Sequence, residues 1–168
     1  MTSNRISARS KGLITAAVMI IISMATYLAE NSFENWLQYI SYLIYAAGIL
    51  WTLITFKRQT EANAGFREYF GEAFKCFIVV TLLMVLFTLV FILLHPELKE
   101  QMAANMRADL SKAKDLAPAD VESKIAAAKR FFLPGYLMGA VLAYLAIGAL
   151  VSAVASGILS MKKTNSTV

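Results

Sequence analysis

Residues 76–94, CFIVVTLLMVLFTLVFILL, contain no Asp, Glu, Lys, Arg or His. A bilayer core about 30 Å thick takes roughly 20 residues of helix, and in the absence of water each backbone group must bond within its own segment. Length and composition therefore read this stretch as a membrane span. Residues 13–29, 37–56 and 137–159 have the same character. The fold expected is an all-α integral membrane protein with four transmembrane helices and an extramembrane helical hairpin between the third and fourth. The 168 residues form a single membrane domain. Its spans lie at about 13–29, 37–56, 74–94 and 135–160, with an interfacial segment at 65–73 and the outer hairpin at 96–132.

Composition agrees. With 58% hydrophobic residues, so short a chain cannot enclose its apolar surface unless lipid covers the remainder. The net charge of +5 does not point to nucleic acid, because Arg5, Arg9, Lys11, Lys57, Arg58, Lys162 and Lys163 all flank apolar runs, as membrane anchors do. Cys76 is the one cysteine, which leaves no internal disulfide and no thiolate cluster.

Four spans put both ends on one face. That face carries Arg5, Arg9, Lys11, Lys57, Arg58, Arg67, Lys75, Lys162 and Lys163, whereas residues 30–36 carry two glutamates and no base. The excess of Lys and Arg makes the termini cytoplasmic. Residues 96–132 hold seven basic and six acidic residues, which nearly cancel. The N-terminal run, with a small-x-small site at Ser23 to Ala25, has the look of a signal peptide. It continues to spanning length through Leu28, however, and is read as a retained first span.

Between the second and third spans, Phe66, Tyr69, Phe70, Phe74 and Phe77 recur with helical period, as expected for an aromatic anchor at the interface. Residues 96–132 read as two helices. Pro96 and Pro118 open them, and Leu98, Met102, Met106 and Leu110 form a narrow stripe on the first. Val121, Ile125, Ala128 and Phe132 line the second, which Lys129 and Arg130 end before Pro134. The four-residue stripe on the first helix is also the candidate partner surface.

The fourth span carries a packing pattern: Gly135, Gly139, Ala143, Ala146, Ala149, Ala153 and Gly157 along one face, with Gly148, Ser152 and Ser156 beside it. Small residues let helices approach closely in lipid, where close contact rather than apolar transfer holds helices together. This helix is expected at the packing centre.

Catalytic signals are missing. His95 is the sole histidine, so it cannot head a multi-histidine metal site, and it suits a helix end. Tyr39, Tyr42, Tyr45, Trp36 and Trp51 suit aromatic belts and packing, and the hydroxyls of the spans can bond to their own helices. No P-loop, nucleophile elbow or paired-carboxylate pattern occurs. The spans lack the charges that mark ion or proton pathways. No catalytic, cofactor-binding or metal residue is assigned, and no cofactor is expected.

Lys57 and Arg58 after the second span, the run Gly71, Glu72, Ala73, Phe74, Lys75, the charged insertion containing Pro118 and the closing Lys162 and Lys163 together resemble a known pattern. The layout resembles the bacterial four-span membrane proteins grouped as domain of unknown function 4199, over residues 11–163. That resemblance implies an inner-membrane protein of Gram-negative bacteria and carries no functional residues. The function expected is a non-enzymatic accessory or scaffold subunit, with lipid and another membrane or envelope protein, or a second copy of the chain, as partners. An oligomeric carrier or channel for a small neutral or lipidic solute is the alternative. A membrane enzyme would need Glu30, Glu34 or Glu97 to converge on His95.

Overall fold

The computed structural model describes residues 6–28, 34–60, 64–112 and 117–161. Five helices occupy them: α1 (Ala8–Leu28), α2 (Glu34–Gln59), α3 (Phe66–Leu94), α4 (Glu97–Lys112) and α5 (Pro118–Met161). There is no strand among the described residues.

Local chemistry explains the helix ends. The Ser7 hydroxyl accepts from the Ser10 amide at 3.1 Å and caps α1, and the Glu68 carboxylate accepts from the Gly65 amide ahead of α3. Acidic residues occupy the first turns of α3, α4 and α5, and Lys57, Arg58 and Lys112 the last turns of α2 and α4, complementing the helix dipoles.

α1, residues 39–59 of α2, α3 and residues 119–161 of α5 are long and apolar enough to cross a bilayer. All four present large apolar side chains outward, among them Leu28 (73% exposed), Leu43 (69%), Leu82 (65%) and Leu150 (66%).

The chain divides into two compact units, residues 1–84 with 142–168, and residues 85–141. In the first, α1 and α2 meet where Gly48 comes against Thr15, and α1 meets α3 where Gly12 comes against the Cys76 carbonyl and Val79. The core holds fully buried Ala16, Met19, Tyr45, Ile49, Leu53, Ala73, Cys76 and Val80. In the second unit, Ala103 of α4 joins Val121 and Ile125 of α5 in a buried cluster, with Met106 and Leu110 packed on it.

Two boundaries differ from those expected. The interfacial segment and third span are one continuous helix of 29 residues. The second hairpin helix and fourth span are likewise one helix of 44 residues with Pro134 inside it. Proline removes a single backbone donor, and a long apolar helix can absorb that loss where neighbours or local adjustment satisfy the freed group.

Candidate functional site

Three places among the described residues gather polar chemistry. The first is a cavity of about 500 Å³ bounded by the start of α1, the last turns of α2 and the first turns of α3. Arg9, Lys11, Glu72 and Lys75 supply its charges, and Ile6 and Phe56 give it apolar sides. Lys75 pairs with Glu72 one helical turn away. Lys11, read from sequence as a membrane anchor flanking the first span, is 4% exposed, with its ammonium 5.8 Å from the centre of the Trp51 ring. The nearest sequence signal for this burial is Gly12, whose missing side chain lets α1 approach the Cys76 carbonyl and carries Lys11 inward with it.

The second is a neutral node in the middle of the first unit. The Tyr45 hydroxyl donates to the Tyr144 carbonyl at 3.1 Å and lies 3.4 Å from the Thr81 hydroxyl. The Tyr144 ring stands edge-on to Tyr45 and Tyr42. Gly148 makes room for this node, because a side chain there would strike the Tyr45 hydroxyl and come within 2.9 Å of the Phe77 ring. One turn and two turns on, Ser152 and Ser156 are fully buried with hydroxyls that have no hydrogen-bond partner among the described residues.

The third is the contact of α4 with the first turns of α5. Arg107 makes a two-pronged bond to Glu122 at 2.9 and 3.0 Å, and Lys129 pairs with Glu100. The partner bases hold both carboxyl groups below the usual carboxylate range, chiefly through these hydrogen bonds, and Glu122 in turn raises the Arg107 guanidinium.

The residues singled out from sequence scatter among these places. Gly148, Ser152 and Ser156 are buried, while Gly135, Gly139, Ala146 and Ala149 are exposed and Ala143, Ala153 and Gly157 half-buried. Nothing lies within 4 Å of where a side chain would begin at Gly135, Gly139 or Gly157. The helix expected at the packing centre is the least covered, with 11% of its apolar window buried against 28% in each of the others. Leu98, Met102, Met106 and Leu110 are all half-buried, the last two against the α4–α5 cluster. The aromatic row of α3 also divides. Phe66, Phe70, Phe74 and Phe77 form successive ring contacts along the helix, whereas Tyr69 turns to meet Phe56 edge-on at 5.5 Å.

The His95 ring nitrogen Nδ1 lies 2.7 Å from the Glu97 carboxylate, two residues away. Glu30 and the side chain of Glu34 lie outside the described residues. Among the described residues, no three His, Cys, Asp or Glu side chains gather as a metal site requires.

Four long apolar helices and a shorter polar one, with no constellation of reacting groups among the described residues, define a helical protein built on spanning-length segments. The chain belongs to the family described as protein of unknown function (DUF4199), whose pattern it matches over residues 11–161. No curated protein and no solved structure matches it.

Proposed function

We propose that this chain is a non-enzymatic accessory or scaffold subunit in the inner membrane of Gram-negative bacteria, crossing it four times with both ends cytoplasmic. α4 and the first turns of α5 form the outer hairpin, held by Arg107–Glu122 and Lys129–Glu100. Outward-facing leucines on all four long helices support a lipid surround, since water would penalise so much apolar surface. Arg9, Lys11, Lys57, Arg58 and Lys75 near one set of helix ends support the orientation.

The observation that carries the subunit reading is the division of the small residues of α5. Gly148, Ser152 and Ser156 serve the chain's own packing, leaving Gly139, Ala146 and Ala149 on an uncovered face of the least buried long helix. In lipid, such a face is how one helix admits another.

The test is to tag the C-terminus, extract native membranes gently and identify proteins that co-purify at fixed ratio by mass spectrometry. A stoichiometric partner lost with Gly139→Leu, while the fold survives, is the expected result. A clean homo-oligomer with no partner protein would sink the accessory reading. Reporter fusions after residues 60 and 113 test the orientation: the first should report cytoplasm and the second the opposite side.

A further inference from the structure

The cavity at the start of α1 does not belong to the partner face, and its chemistry is specific. Arg9, Lys11 and Lys75 face one acid, Glu72, which Lys75 already engages, so the lining carries two positive charges in excess. Lys11 is 4% exposed and lines the cavity, with its ammonium 5.8 Å from the centre of the Trp51 ring and no carboxylate paired to it among the described residues. A cation that rests on an aromatic face, has no paired carboxylate and lines an open cavity is placed to meet an anion there. The first turn of α1, represented in the lining by Ser7, Ala8 and Arg9, adds the positive end of a helix whose leading amides lack helical acceptors.

We propose that this cavity binds a phosphate-bearing anion, with Lys11 as its principal cation and Arg9 as the outer one. Lysine serves phosphate as a compact point charge, and a space of about 500 Å³ holds a glycerophosphate head as readily as a free phosphate. Under the membrane reading proposed above, on which the lipid source rests, the cavity opens at headgroup depth on the cytoplasmic side. Ile6 and Phe56 then border it as apolar sides along which acyl chains pass.

The experiment uses the full chain, purified in uncharged detergent and offered phosphatidylglycerol, phosphatidylcholine or inorganic phosphate, with bound molecules counted by native mass spectrometry and affinity measured by titration. Wild type should retain one phosphatidylglycerol in preference to phosphatidylcholine. Lys11→Gln should weaken it about tenfold or more, Arg9→Gln by less, and Lys11→Arg should restore it. If inorganic phosphate binds instead, with the same sensitivity to Lys11→Gln and no lipid preference, the source is a soluble anion. Equal binding by wild type and Lys11→Gln, or no binding of any probe, overturns the site. Arg9 is exposed, so Arg9→Gln keeps the test open should Lys11→Gln fail to fold. Reporter fusions and partner capture do not depend on Lys11, and a failure here leaves the membrane and subunit readings to their own tests.

Discussion

Gly148→Ala adds a single methyl group to α5, and the structure gives two opposed terms for it. On an isolated helix the change is favourable by about 1 kcal/mol, because glycine is the poorer helix former. Here the new carbon would strike the Tyr45 hydroxyl, sit 2.9 Å from one Phe77 ring atom, closer than real side chains come, and make a tight 3.0 Å contact with another. Overpacking of this kind costs about 1–3 kcal/mol. Moving Tyr45 aside also forfeits its bond to the Tyr144 carbonyl, for about another 1 kcal/mol. The clash wins, and Gly148→Ala should destabilise the protein by about 1–3 kcal/mol net. Gly157→Ala, on the same helix with open space around it, should instead be neutral or stabilising by up to about 1 kcal/mol. Denaturant titration of the two purified variants in micelles, followed by circular dichroism, measures both. A Gly148→Ala protein as stable as wild type would refute the close approach of α5 to Tyr45 and Phe77.

Ser152→Ala and Ser156→Ala remove buried hydroxyls that lack partners, so each should stabilise by about 1 kcal/mol in the same titration. Ile125→Ala opens the small cluster beneath α4 and should cost about 2 kcal/mol or more, seen as faster hydrogen exchange in α4 with exchange in α2 unchanged. Glu100 and Glu122 have pKa values lowered in the folded state, so their contribution is present above the ordinary carboxylate value of 4.5 and is lost as pH falls through the lowered folded values. Acid below about pH 4.5 should therefore loosen α4 from α5, with exchange rising there first; an α4 equally protected at pH 3 and pH 7 would contradict this.

The long helices were legible in sequence because uncharged runs of spanning length have few physical explanations. α4 was equally plain: Pro96 before it, acids in its first turn and Lys112 in its last all agree. What sequence hid was continuity and depth. Pro134 reads as a stop, yet neither the loss of one backbone donor there nor the glycine that follows ended the helix, which runs on to Met161. The small residues of α5 read as one face, because spacing reports periodicity without saying which side meets Tyr45. Lys11 misled most. Position beside an apolar run suggested a membrane anchor, and only the close approach permitted by Gly12 accounts for how little of this cavity-lining lysine is exposed.

Cys76, the chain's one cysteine, is fully buried at the meeting of α1, α2 and α3, its thiol directed at the Gly48 carbonyl 3.9 Å away. A thiol sealed at a helix crossing reacts with a soluble maleimide only when the helices part. Its labelling rate therefore times the opening of this bundle without any engineered probe, and cysteines introduced on exposed surfaces can be labelled selectively while the native one stays silent.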